Sequence, residues 1–210
     1  MEILEKICES VIGGKCNESM SLVSQALEEN ISPADILNNG LLKAMSIVGD
    51  KFKNNEIYLP EMLMSSRAMK TAMEVLQPKL TDTGVKPAGT AVMGTIKGDL
   101  HDIGKNLVCM MLEGAGFKVI DVGVDADDQK FLKAIKDNEA GLVGLSALLT
   151  TTMTYMKNVT DAIRTSDPEK NVKIMIGGAP INQAFCDEIG ADGYAPDAAS
   201  AADLAKKLIS

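Results

Sequence analysis

The hydrophobic pattern changes period once along the chain, and the change divides it into two kinds of structure. Up to about Leu80 the apolar residues recur at helical spacing, as in Ile3, Leu4, Ile7 and Val11 and again in Ile36, Leu41, Leu42, Met45 and Val48. A stripe of that kind has to be buried, and the spacing predicts four helices packed on one another. Gly13-Gly14 ends the first, Ser32 ahead of Pro33 supplies a cap and a first-turn proline, and Asn38-Asn39-Gly40 offers a point for a break. Residues 81–89, TDTGVKPAG, hold turn formers and no apolar stripe. They read as a linker between a helical domain, residues 1–80, and a second domain, residues 90–210.

Beyond the linker, short β-branched or apolar runs (TAVMGTI, FKVIDVG, GLVGLSAL, VKIMIGG, GYAPD) alternate with helical ones such as KNLVCMMLEGAG and DQKFLKAIKDN. Strands joined through helices cross over right-handedly and line up parallel, so a five-stranded parallel sheet covered on both faces is expected. The fold class is α/β with an all-α N-terminal domain, its sheet doubly wound in the flavodoxin or Rossmann manner. Ligands of such sheets lie beyond the C-terminal strand ends, where the winding reverses. The loops after the strands are therefore the places to look for chemistry.

Composition narrows the partners. A chain of 210 residues with 46% hydrophobic content can bury a sizeable core, while a net charge of −8 disfavours nucleic acid and anionic membrane surfaces. No apolar run reaches the roughly 20 residues of a spanning helix, and MEILEKICES is acidic where a secretory leader is basic. A cytoplasmic location is expected. Cys8, Cys16, Cys109 and Cys186 form no CxxC pair and read as reduced thiols. Thirteen Met with no Trp give deformable apolar surfaces.

After the first strand comes GTIKGDLHDIGKN, holding His101, the single histidine of the chain, with Asp99 and Asp102 beside it and Gly98 and Gly104 around it. A loop histidine at a strand end can present one ring nitrogen to a metal while a carboxylate holds the other. Two plainer readings are a surface histidine in a turn and a phosphate-binding glycine loop. For the second, Gly94, Gly98 and Gly104 lack the GxGxxG or GKS/GKT spacing. The loop after the third strand starts at Ser146 in GLSALLTTT, and that after the fourth holds Gly177-Gly178 in IMIGGAP. If the first and third strands are neighbours, His101, Asp99 and Ser146 meet at one crevice.

DLHDIG resembles the DxHxxG motif of cobalamin-binding domains, and the SxL element at Ser146 and Leu148 and the GG element at Gly177-Gly178 follow in the family's order and spacing. The resemblance implies a corrinoid of the methylcobalamin or hydroxocobalamin type, with cobalt. His101 would be its lower metal ligand, replacing the cofactor's own benzimidazole. Asp99 would bond the far side of the ring and Ser146 would extend that relay, with Asp102, Ile103 and Gly104 beside the cofactor. The displaced nucleotide tail would enter a slot lined by Gly94, Ser146, Leu148, Thr150, Gly177 and Gly178. The helical half, including VGDKFKNNEIYLPEMLMSSRAM from Val48 to Met69, is similar to the cap domain of methyltransferase corrinoid proteins. That likeness implies contacts from Tyr58, Leu59, Met62 and Leu63 to the upper, methyl-bearing face of the corrin. Met62, Met64, Met69 and Met73 are at near-helical spacing, which equally suits a core.

The same resemblance implies a carrier subunit rather than a catalyst acting alone. It would accept a methyl group from a donor-specific methyltransferase and deliver it to a methyl-accepting one, with a reductive activator as a third partner. A corrinoid-binding sensor would use the same motif, but no helix-turn-helix or basic patch precedes the helices. An interaction module without a cofactor, its histidine accidental, is the third reading.

Overall fold

The computed structural model describes residues 2–169 and 171–210. The chain divides between Pro87 and Ala88 into two compact units.

The first unit is helical. It comprises α1 (Glu2–Ile12), α2 (Cys16–Glu28), an unbroken helical run of α3 (Pro33–Asp35), a π-helical segment (Ile36–Leu42) and α4 (Lys43–Lys53), and then α5 (Leu59–Asp82). The run begins as the sequence suggests: Pro33 takes the first position and the Asp35 amide donates to Ser32 Oγ at 3.0 Å. Asn38-Asn39-Gly40 does not break it. The helix widens there instead, and a Cβ on Gly40 would stand 3.0 Å from Ile7 Cγ2, so the missing side chain lets this segment lie against α1. The long α5 is opened by Glu61, whose carboxylate accepts from the Tyr58 amide at 3.1 Å. It carries Pro78 in its last turns and runs to Asp82, two residues into the segment read as linker. Its inner face buries Met62, Ser65, Ala68, Met69, Ala72 and Leu76, and Ser65 Oγ donates to the Ile12 carbonyl at the end of α1.

The second unit is the expected parallel sheet. Among the described residues five strands, β1 (Thr90–Thr95), β2 (Lys118–Asp121), β3 (Leu142–Ser146), β4 (Lys173–Gly177) and β5 (Gly193–Tyr194), lie in the order β2-β1-β3-β4-β5. Helices α6 (Ile103–Gly114), α7 (Asp128–Asn138), α8 (Thr150–Met153), α9 (Tyr155–Ser166), α10 (Gln183–Ile189) and α11 (Ala198–Leu208) connect and follow them. Side chains that cap α7, α10 and α11 come from Asp127, Asn182 and Asp197, each accepting an amide three residues on.

In a parallel sheet, residues in register point the same way. One face therefore holds Val92, Val143 and Ile174 and then Gly94, Leu145 and Ile176; the other holds Met93, Gly144 and Met175 and then Thr95, Ser146 and Gly177. The first face forms a continuous core with Phe131 of α7, Met156, Val159 and Ile163 of α9, and Cys186 and Ile189 of α10. The winding reverses between β1 and β3, so the loops following those two strands share one crevice.

Candidate functional site

The loop from β1 to α6 is built backward from its own backbone. Gly98 takes a left-handed φ of 83°, turning the chain so that the Asp99 amide reaches the Ile96 carbonyl, and the buried Thr95 hydroxyl donates to the His101 carbonyl at 2.8 Å. Asp99 is fully buried by the turn. Its Oδ1 accepts from His101 Nδ1 at 2.7 Å and from the His101 amide at 3.1 Å. Its Oδ2 accepts from the Leu148 amide at 2.8 Å, the Leu149 amide at 3.3 Å and the Thr152 hydroxyl at 2.8 Å.

Burial by itself would push the Asp99 carboxyl up. The Leu148 amide, His101, and the Thr152 hydroxyl outweigh it and hold the group well below the usual carboxylate range. An ionised carboxylate can only accept, so the proton between the two side chains belongs to His101 Nδ1. That leaves Nε2 as the ring nitrogen not engaged by Asp99, on a side chain that is 51% exposed. Large apolar side chains are exposed on the two segments that meet at Asp99: Leu100 is 72% exposed, Ile103 70%, and Leu148 and Leu149 are also exposed. Four large aliphatic side chains left in the open on these segments suit contact with an apolar ligand.

The other residues singled out in the sequence fall into two groups. Asp102, Ile103 and Gly104 lie exposed at the start of α6 next to His101, and Asp102 accepts from Asn106 Nδ2 at 3.1 Å. Ser146 and Gly177 stand side by side at the ends of β3 and β4, Thr150 opens α8, and Leu148 offers Asp99 its amide. Gly178, with φ of 133°, lies so close to Ala147 that a Cβ would overlap the Ala147 carbonyl. Three expectations need correction. Ser146 does not extend the relay, because Asp99 Oδ2 is taken by Thr152 and by the Leu148 and Leu149 amides, and Ser146 lies a loop's length before them on the strand. Gly94 lies on the opposite face of the sheet from Ser146 and Gly177, and its added Cβ would stand 2.6 Å from Phe131 Cζ. Met62 is fully buried on the inner face of α5, the core position that its spacing equally suited, whereas Tyr58, Leu59 and Leu63 are exposed in the helical unit.

Thr95 and Thr152 were missed. Thr95 looks like an ordinary strand residue, and Thr152 is one of three consecutive threonines whose sequence says nothing about which meets Asp99. Among the described residues, no group of three or more His, Cys, Asp or Glu side chains is arranged to hold a metal ion. A single imidazole suits a metal that arrives with its other positions already filled.

Known proteins share this architecture over the full chain. The family description "B12 binding domain" matches residues 89–203, and a second family of the same description matches residues 3–77. The chain is 36% identical over 212 residues to a corrinoid protein of Desulfitobacterium hafniense, covering 100% of this chain and 98% of that one. It is 40% identical over 214 residues to monomethylamine corrinoid protein 1 of Methanosarcina mazei, covering 99% and 98%. Among solved structures, the methanol:cobalamin methyltransferase complex of Methanosarcina barkeri superposes with a TM-score of 0.87 at 29% identity, covering 99% of this chain and 80% of the other. Two B12 binding domain matches, and full-length likeness to corrinoid proteins, converge with the histidine-centred crevice: the chain belongs to the corrinoid protein family, and a corrinoid is its cofactor.

Proposed function

We propose that this corrinoid protein is a methyl-carrying subunit and that His101 Nε2 is the lower axial ligand of the cobalt. The observation that carries the reading is His101 itself, fixed at Nδ1 by a buried carboxylate, with Leu100, Ile103, Leu148 and Leu149 exposed on the segments that meet at that carboxylate. When bound, the corrinoid supplies a cobalt centre that takes up and releases a methyl group.

The chain's own residues bind, orient and protect. Asp99 orients the imidazole and fixes its tautomer, because its carboxyl is held ionised and accepts from Nδ1. With the corrinoid bound, exposed Leu100, Ile103, Leu148 and Leu149 would help keep water from it. The sheet face that carries Met93, Gly144 and Met175 and then Thr95, Ser146 and Gly177 is lined by small or flexible side chains, which suits admission of the displaced nucleotide tail. Relatives named as monomethylamine and dimethylamine corrinoid proteins, and a structural neighbour named as a methanol:cobalamin methyltransferase complex, support a small methylated compound as donor and a donor-specific methyltransferase as partner. A methyl-accepting methyltransferase and a reductive activator complete the proposed set.

The test is the visible spectrum of the chain after incubation with hydroxocobalamin and removal of the excess, with His101→Ala alongside. Retained colour with an axial-ligand band shift absent from the variant is the expected result. A wild-type spectrum identical to that of the variant overturns the assignment of His101.

A further inference from the structure

The loop bearing Asp99 and His101 is itself held from behind by the segment that links β2 to α7. Asp125, exposed and with a left-handed φ of 50°, accepts from the Gly98 amide through Oδ1 at 2.7 Å, while its own amide donates to the Asp99 carbonyl at 3.0 Å. The left-handed Asp125 thus holds two successive residues of the turn, accepting from left-handed Gly98 through its carboxylate and donating its amide to Asp99, the residue that anchors the imidazole. The same segment is stitched to the strand before the loop: the Thr95 amide donates to the Gly123 carbonyl, the Ala126 amide to the Thr95 carbonyl, and Ile96 bridges Ala126. On the other flank, buried Lys105 of α6 joins Asn106 to Asp121 at the end of β2, and Asn106 in turn donates to Asp102. Asp121 also accepts from the Gly123 amide at 2.8 Å.

We infer that Asp125 is a positioning residue for the axial ligand: it presets the Gly98–Asp99 turn, and through it the orientation of His101. This inference rests on His101 being the cobalt ligand. The physical reason is preorganisation. A glycine-containing turn left free samples many conformations, and each has to be given up when the imidazole coordinates. Asp125 removes that freedom before the ligand arrives, through the 2.7 Å hydrogen bond that its side-chain oxygen accepts from the Gly98 amide. Asp125 bonds to Gly98 and Asp99, so its effect on His101 runs through the turn.

The experiment uses the full chain loaded with hydroxocobalamin, reduced to cobalt(II) and read by electron paramagnetic resonance, with its histidine carrying the heavy nitrogen isotope. Because His101 is the single histidine, the axial splitting turns from a triplet to a doublet only if that ring is bound, which separates it from the cofactor's own base. Asp125→Ala is expected to keep the corrinoid but to lower the ratio of His-on to His-off cobalt by about tenfold, the scale of one lost hydrogen bond. Asp125→Asn, whose amide oxygen still accepts from Gly98 and whose backbone tolerates the left-handed region, is expected to stay within about twofold of wild type. A wild-type ratio in Asp125→Ala, with the doublet intact, overturns the positioning role and leaves His101 as ligand. Equal loss in both variants also overturns it, since charge and not the bond to Gly98 would then be responsible. Absence of the doublet in the wild type removes the ligand assignment and this inference together.

Discussion

The two faces of the sheet are packed by different means. On one, Val92, Val143, Leu145, Ile174 and Ile176 meet Phe131 and the branched residues of α9 and α10, and Gly94 exists because the Phe131 ring leaves its position no room. On the other, Met93 and Met175 close over Gly144, and the strand ends finish in Thr95, Ser146 and Gly177. The buried residues of α11 are alanines, none of which joins the core of the first face. A branched or aromatic side chain has few rotamers and fills a fixed shape, whereas a thioether can swing. One face thus fixes the sheet, and the other keeps a deformable side.

Removing the filler of the fixed face gives the largest effect: Phe131→Ala is expected to cost about 3–5 kcal/mol, read from the urea midpoint. A loss below that of an ordinary surface change would break the contrast. Next is the buried anchor. Asp99→Ala strands the Leu148 amide and the Thr152 hydroxyl and is expected to cost about 3 kcal/mol.

Asp99 also has a pH signature. Its folded carboxyl lies below the ordinary value near ~4, so the unfolded chain takes up a proton there first. The stability it contributes is full above that value and is lost as pH falls from it through the folded one. Acid unfolding curves of Asp99→Asn should therefore be flatter in this range than those of wild type, and parallel curves would contradict the ionised state.

The sharpest comparison applies one substitution to both faces. In Gly94→Ala the new methyl stands 2.5 Å from Val122 Cγ2 and 2.6 Å from the Phe131 ring, neither of which can yield, and about 1–3 kcal/mol is expected. In Gly144→Ala it meets the far end of Met93, which can rotate away, and the cost should stay under about 1 kcal/mol. Equal costs would show that the methionine face is as rigid as the aromatic one. Thr152→Val is likewise expected to be mild, about 1 kcal/mol, since the Leu148 and Leu149 amides still serve Asp99 Oδ2.

Much of this was legible in one dimension. The period switch after Leu80, the alternation of strands and helices and the DLHDIG segment are local or evenly spaced patterns, and they lead to a helical unit, a parallel sheet and a histidine at a strand end. The π-helical widening at Asn38–Gly40 was not legible, because Gly40 there answers a neighbour, Ile7, and not its own helix propensity. Nor was the choice of Thr152 over Ser146: which hydroxyl reaches Asp99 depends on how far the loop after β3 travels before it turns into α8.

By itself, then, the sequence determined the elements, their order and the identity of the imidazole with its carboxylate, since periodicity and a unique histidine need no third dimension. Tertiary structure alone decided which face Gly94 serves, that Thr95 and Thr152 join the site, and that Asp125, 24 residues beyond His101 in the chain, is bonded to the turn that carries it. Those facts are hydrogen bonds and close approaches between segments distant in sequence, and only the crossover of β1, β2 and β3 brings their partners within reach.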